Sequence, residues 1–186
     1  MKKVVVIYGS KYGTTEKYAK WISEELNCDL FSYKSIKKDN LLNYDTIIYG
    51  GWLYTGGVKG ISILKNNFEK IKAKNIVIFT CGISDPKDMN NVNQINANIN
   101  RIFRIFDLQK NKITIFNLRG GIDYSKLTFL HKTMMKILKK KVENIEEEKL
   151  TNENREFLDT YGKKIYFMDK TEIRDIVDFV KKKMNL

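Results

Sequence analysis

Short runs of β-branched and other apolar residues alternate along this chain with longer stretches in which apolar residues recur every three or four positions. The first run ends at Gly9, and the first helical pattern starts at Thr14. Runs of the first kind predict buried strands, and stretches of the second kind predict helices that bury one face. The predicted strands are 4–8, 29–33, 45–49, 76–80 and 112–118, and the predicted helices include 14–26, 61–71, 89–106 and 173–184.

This alternation indicates a parallel sheet with helices on both faces, because each right-handed crossover lays its helix back onto the sheet. The expected fold class is therefore α/β, a doubly wound sheet of five parallel strands in the order 2-1-3-4-5. A crevice opens beyond the carboxyl ends of such strands where the winding reverses, and the loops after strands one, three and four should line it. The 186 residues show no internal repeat or linker, so a single domain covering 1–186 is expected.

The charge of the chain leaves two interpretations open. There are 34 Lys and Arg against 22 Asp and Glu, a formal net charge of +12. Such an excess suits a nucleic-acid or anionic-membrane binder. It is equally consistent with a composition bias, since the sequence is also rich in Asn and Ile. The apolar run 4–8 is too short for a signal peptide or a membrane span, so a cytoplasmic protein is expected.

The cysteines and the histidine exclude several kinds of site. Cys28 and Cys81 form neither a CxxC pair nor a cluster with histidine, so two reduced thiols are expected, with no disulfide and no metal site. His131 is the only histidine and stands beside Lys132, a setting more typical of a solvated residue than of a catalytic one. Triads with a second histidine are excluded.

The loop after the first strand reads Gly-Ser-Lys-Tyr-Gly-Thr-Thr from Gly9 onward. Its hydroxyl and N–H groups meet at the amino end of a helix, where N–H donors are unpaired and the helix dipole is positive. A phosphate monoester fits there; the alternative is that Ser10 or Thr14 only caps the helix. Neither a GxGxxG pattern nor a GKS or GKT ending is present. The predicted phosphate-binding residues are Ser10, Lys11, Tyr12, Gly13, Thr14 and Thr15.

This loop resembles the flavodoxin phosphate loop, Ser/Thr-x-Thr-Gly-x-Thr. Ser10, Gly13 and Thr15 match the pattern, and Tyr12 replaces its usual threonine. The resemblance spans nearly the whole chain. It implies a flavodoxin-like fold and a non-covalently bound FMN at the carboxyl ends of the strands, with the flavin rather than a side chain doing the chemistry.

The loop after the third strand, 50–57, places aromatic side chains between paired glycines. By the resemblance, Trp52 or Tyr54 stacks on the isoalloxazine ring and excludes water from it, while at least one of the two only packs over the sheet edge. A peptide at Gly56 or Gly57 could turn over to accept a hydrogen bond from N5 of reduced flavin. The predicted contacts here are Gly51, Trp52, Leu53, Tyr54, Thr55 and Gly56.

The loop after the fourth strand contributes Cys81, Gly82 and Ile83, whose backbone donors should face the pyrimidine edge of the flavin. Gly82 permits a close approach. Cys81 is expected to fill space beside the ring rather than to attack a substrate, because no base or second thiol is available to activate it.

A basic helical segment at about 120–160 follows the fifth strand. Residues 126–141 hold six lysines and no acidic residue, together with apolar residues near helical spacing. Contact with an anionic membrane is one interpretation, and a surface helix with its apolar stripe on the core is the other. With the preceding GGIDYSKL stretch at 120–127, this insertion resembles the long-insertion branch that includes menaquinone-dependent protoporphyrinogen dehydrogenase.

Two functions stay open. One is an FMN-binding electron-transfer protein that exchanges electrons with a redox protein. The other is a membrane-associated FMN-dependent oxidoreductase that passes electrons from a reduced porphyrin precursor, or porphyrinogen, to a quinone. A non-flavin regulatory module is a minor alternative, because the aspartates that receiver domains need at strand ends are replaced here by Gly9-Ser10 and Gly50-Gly51. No nucleic-acid partner is expected.

Overall fold

The β-branched runs form the strands of a central sheet, in a computed structural model that describes residues 3–54, 57–102 and 113–185. The strands are β1 (Val4–Gly9), β2 (Asp29–Ser32), β3 (Thr46–Tyr54), β4 (Gly57–Val58), β5 (Asn75–Gly82), β6 (Ile113–Arg119), β7 (Gly121–Asp123) and β8 (Lys164–Tyr166). The helices are α1 (Thr14–Leu26), α2 (Ser62–Ile71), α3 (Met89–Ile102), α4 (Phe129–Glu143), α5 (Asn152–Thr160) and α6 (Arg174–Met184).

Five parallel strands make the sheet, in the order β2-β1-β3-β5-β6. This confirms the predicted fold class and strand order. The remaining strand of this sheet, β4, is a short antiparallel addition to β3 and does not change the order of the parallel strands. Side chains alternate between the faces as strand geometry requires. Ile7 and Ile47 lie in one core with residues of α2 and α3, and Val6 and Ile48 lie in the other with residues of α1 and α6. Both faces of the sheet are therefore covered.

Two predicted boundaries differ from the structure. The third strand does not end at Tyr49, because Trp52 still pairs with Cys81 of β5, and the chain then folds back so that Leu53 pairs with Val58. Much of the predicted loop 50–57 is thus strand and hairpin. The helix predicted over 89–106 is described as Met89–Ile102, and its remaining residues lie outside the described part of the chain.

The basic segment is inserted between β6 and α6. It leaves the sheet at β7, which pairs antiparallel with β8, and between these two strands lie α4 and α5. Gly120 joins it to the sheet edge, because its N–H donates to Gly82 O at 2.5 Å and its carbonyl accepts from Phe167 N at 2.9 Å. The segment extends to Tyr166, beyond the expected end near residue 160. Within the described ranges, no helix is long and apolar enough to cross a bilayer.

Candidate cofactor site

The first loop presents the amino end of α1. Gly13 holds a left-handed conformation, φ +91°, which glycine adopts without the cost that a Cβ imposes. Its N–H donates to Ser10 Oγ at 3.0 Å, and its carbonyl accepts the first helical bond, from Lys17 N at 3.0 Å. The N–H groups of residues 14–16 consequently have no acceptor within the helix and form its positive end.

Two threonine hydroxyls lie beside these N–H groups. Thr14 Oγ1 accepts a long hydrogen bond of 3.6 Å from the Cys81 thiol. Thr15 is completely buried, and its hydroxyl makes no hydrogen bond of ordinary geometry among the described residues, its polar neighbour being the Cys81 thiol. A buried hydroxyl without a partner is costly. An anion bound at the end of α1 would remove that cost.

The second loop supplies one wall of the site. Trp52 and Leu53 line the cavity, and the indole Nε1 of Trp52 is a second buried polar atom without a partner in the described part of the chain. Gly51 does not line the cavity: a Cβ there would lie 2.3 Å from Val58 Cγ1, so its small size serves the packing of the β3–β4 hairpin. The Tyr54 side chain, Thr55 and Gly56 lie outside what the structure describes.

The third loop lines the cavity with Cys81, Gly82 and Ile83. Cys81 is buried, and burial raises the pKa of its thiol to about 12. The thiol is therefore protonated and unreactive at neutral pH. This agrees with the prediction that Cys81 fills space.

A cavity of about 660 Å³ joins these loops to the insertion. The predicted residues that line it are Lys11, Tyr12, Thr14, Thr15, Trp52, Leu53, Cys81, Gly82 and Ile83. Ser10 and Gly13 shape the first loop without lining the cavity. The insertion forms the roof, and its lining side chains include Ile122, Leu127, His131, Met134, Met135, Leu138, Val142 and Phe157. The sequence did not assign these roof residues to the cofactor site, because no local pattern shows where an insertion docks.

Arg119 is a further lining residue that the sequence did not single out. It ends β6, forms an ion pair with Glu156 of α5, and lies with its guanidinium carbon 3.8 Å from the centre of the Phe167 ring. Its Nε also donates to Ile83 O at 3.2 Å. Arg119 thereby fixes the third loop and the insertion relative to each other.

His131 is not the solvated residue expected from its neighbourhood in sequence. It is partly buried and lines the cavity, and its Nδ1 lies 2.6 Å from the Tyr12 hydroxyl. The two rings pack edge to face, with centroids 6.0 Å apart. Burial, and then the positive charge of Lys11, lower the pKa of the His131 imidazole. The neutral form is thus favoured at neutral pH.

This arrangement fits FMN. The partnerless Thr15 hydroxyl and the end of α1 suit a phosphate, and Lys11 adds positive charge beside them. Trp52 and Leu53 give the cavity an apolar lining next to the backbone of Gly82 and Ile83, and Leu53 packs closely against Gly82, where a Cβ would lie 2.8 Å from Leu53 Cδ1. Apolar side chains beside exposed backbone suit a flat ring with one polar edge.

The chain is similar to several known proteins. The family model described as flavodoxin domain matches residues 5–149. An uncharacterized protein of Methanocaldococcus jannaschii is 31% identical over 90 residues, 48% of this chain, and this chain spans 60% of that relative's length. Among solved structures, flavodoxin 2 from Bacillus cereus is 19% identical, with a TM-score of 0.47 over 63% of this chain and 84% of that one. A WrbA-like flavodoxin from Agrobacterium tumefaciens is 20% identical, with a TM-score of 0.45 over 61% and 76%.

The match to the family model covers well over half of the residues and includes the first three loops of the site. The chain therefore belongs to the flavodoxin domain family, and this membership implies FMN as its cofactor.

Proposed function

We propose that this chain holds FMN in the roofed cavity and uses it to transfer electrons to and from a partner. The observation that carries the proposal is the buried Thr15 hydroxyl, which lacks a partner in the described structure and lies beside the free N–H groups of α1. FMN, when bound, supplies one-electron and two-electron transfer. The protein supplies binding, orientation and exclusion of water.

Each wall of the cavity has a separate part in this proposal. The hydroxyls of Thr14 and Thr15, with the N–H groups of residues 14–16, hold the phosphate. Trp52 covers one face of the ring, and the peptides at Gly82 and Ile83 donate to its polar edge. Cys81 stays protonated, so it keeps negative charge away from the ring.

The insertion distinguishes this site from one with a fully exposed flavin edge. Met135 and Val142 of α4 and Phe157 of α5 line the roof, so water is displaced from above the ring. Met134 and Leu138 line the cavity and are also 37% and 43% exposed. The cavity therefore reaches the surface along α4, and a partner would approach there.

The direct test is the visible absorption spectrum of protein purified without added cofactor, with identification of any chromophore released on denaturation. We expect flavin bands and free FMN. Thr15→Val keeps the shape of the side chain, and we expect it to weaken FMN binding about tenfold and to leave riboflavin binding unchanged, since riboflavin has no phosphate. Thr133→Val, on the exposed part of α4, is the matched control. A colourless protein that takes up no added FMN would overturn the proposal.

A second candidate is the membrane-associated, quinone-linked oxidoreductase of the protoporphyrinogen dehydrogenase type. The observation that favours it is the outer side of α4, where Phe129, Leu130 and Ile137 are 87%, 60% and 52% exposed among lysines. Exposed apolar side chains flanked by lysines suit the boundary of an anionic bilayer.

Vesicle sedimentation tests this second candidate. Leu130→Ser with Ile137→Ser should reduce binding to vesicles that contain phosphatidylglycerol, and binding should fall as phosphatidylcholine replaces the anionic lipid. Reduction of a menaquinone analogue by the loaded protein, with protoporphyrinogen as donor, tests the reaction itself. Absence of vesicle binding at low salt, together with absence of quinone reduction, would leave a carrier that exchanges electrons with a redox protein.

A further inference from the structure

The contact between Tyr12 and His131 joins two parts of the molecule that lie 119 residues apart in sequence. Tyr12 is the central residue of the first loop, the segment that leads into α1. His131 lies in the first turn of α4, the helix that roofs the cavity. The tyrosine hydroxyl and Nδ1 lie 2.6 Å apart, a short hydrogen-bond distance. In the neutral imidazole, the tautomer with its proton on Nε2 leaves Nδ1 unprotonated, so that Nδ1 can accept the bond from the tyrosine hydroxyl.

The contacts that hold helix α4 to the rest of the molecule differ along its length. Near its carboxyl end Val142 is buried, and Lys139 lies 5.0 Å from the centre of the Tyr161 ring, just after α5. In its middle, the half-buried Met135 lines the cavity. At its amino end Phe129 and Leu130 are exposed. The amino half of α4 is tied to the molecule by Leu127, which is buried just before the helix, and by the bond from His131 to the first loop.

We propose that His131 is a positioning residue for the cofactor: by accepting the Tyr12 hydroxyl it latches α4 onto the phosphate loop, so that bound FMN leaves the cavity only after the latch opens. This rests on the proposed function. Lys11 and Thr14 of the first loop and Met135 of α4 line the same cavity as the two residues of the latch, so opening the latch would uncover the phosphate end.

Two effects follow from the latch. Release of FMN is slowed, because α4 must first move away from the loop. In addition, FMN protects α4 against local opening, because coupling between a bound ligand and a closed roof is reciprocal. Both effects are lost together when either partner of the bond is removed.

The test is the rate of FMN release, followed by the recovery of FMN fluorescence after dilution of the loaded protein. We expect Tyr12→Phe and His131→Leu each to speed release about fivefold, as loss of one hydrogen bond implies. The double variant should release FMN no faster than either single variant, because both remove the same bond. His131→Asn should stay near the wild-type rate, because its amide oxygen can replace Nδ1 as acceptor. Lys132→Ala, exposed on the same helix, is the matched control.

The outcomes separate the latch from the proposed function. Unchanged release in Tyr12→Phe and His131→Leu, or effects that add in the double variant, would overturn the latch. If wild-type protein takes up no FMN, the proposed function fails, and hydrogen exchange of α4 in the flavin-free protein tests the latch instead. Faster exchange over residues 129–135 in both single variants supports it, and equal exchange overturns it. Tyr12→Phe keeps the test decisive even if His131→Leu fails to fold.

Discussion

The guanidinium carbon of Arg119 lies over the Phe167 ring, 3.8 Å from its centre, at the point where the chain leaves β6 for the insertion. Arg119 is only 17% exposed in its side chain and also pairs with Glu156 of α5. One side chain thus joins the sheet edge, the end of the insertion and its second helix.

Arg119→Ala should lower the free energy of unfolding by about 2 kcal/mol, because it removes a partly buried ion pair and a cation–ring contact together. The urea midpoint of unfolding, followed by circular dichroism, measures this loss. Arg155→Ala is the matched control, since Arg155 pairs with Glu147 at 3.6 Å where both side chains are well exposed. Its loss should stay under about 0.5 kcal/mol. Equal losses in the two variants would contradict the role assigned to Arg119.

Gly13→Ala tests the first loop. The left-handed backbone at Gly13 penalises any Cβ by about 1 kcal/mol, although no other atom lies within 4 Å of it. Gly162 has φ +82° and equally open surroundings, but it lies in the insertion away from the loop. We expect Gly13→Ala and Gly162→Ala to lose similar stability in thermal unfolding. Only Gly13→Ala should weaken FMN binding, measured by fluorescence titration. A normal FMN affinity in Gly13→Ala would count against phosphate binding at this loop.

Thiol chemistry provides a pH-dependent prediction. Burial raises the pKa of both Cys28 and Cys81 to about 12. Near pH 8 roughly one thiol in ten thousand would be ionised, so alkylation by iodoacetamide should be very slow in the folded protein. Both thiols should react at once in guanidinium chloride. Cys28→Ser and Cys81→Ser identify which thiol is responsible if one reacts quickly, and fast reaction of Cys81 would contradict its burial beside Thr14.

Acid should lower the stability of the start of the insertion, at Asp123 of β7. Hydrogen bonds from Ser125, of which the hydroxyl bond is the larger influence, lower the pKa of Asp123 below its ordinary value. Because the pKa of Asp123 is lower in the folded than in the unfolded protein, its ionised carboxylate stabilises the fold at any pH above the unfolded-state pKa. This contribution is lost as the pH falls through the folded-state pKa. The stability difference between wild type and Asp123→Asn should therefore shrink on acidification. Asp178→Asn, on the exposed side of α6, is the control, and thermal unfolding across acid pH is the measurement.

The sheet was predictable because its strands are short apolar runs and its crossovers have one allowed hand. The start of α1 at Thr14 was predictable for a similar reason, since the glycine and hydroxyl residues before it are local signals. The extension of β3 to Tyr54 was not, because it depends on Trp52 finding a partner in β5. The contact between Tyr12 and His131 was equally hidden, since it depends on where an insertion with no sequence signal for its docking comes to lie.

The paired strands β7 and β8 bring the two ends of the insertion together, with Gly121 opposite Tyr166. The chain therefore leaves the sheet and returns to it at the same place. More than forty residues can thus be lengthened, shortened or exchanged during evolution without shifting the register of the sheet or the start of α6. The three cofactor loops belong to the sheet domain, whose geometry is unaffected by such changes, whereas the roof of the cavity belongs to the insertion. In such a fold, access to a redox centre can diversify independently of the centre itself.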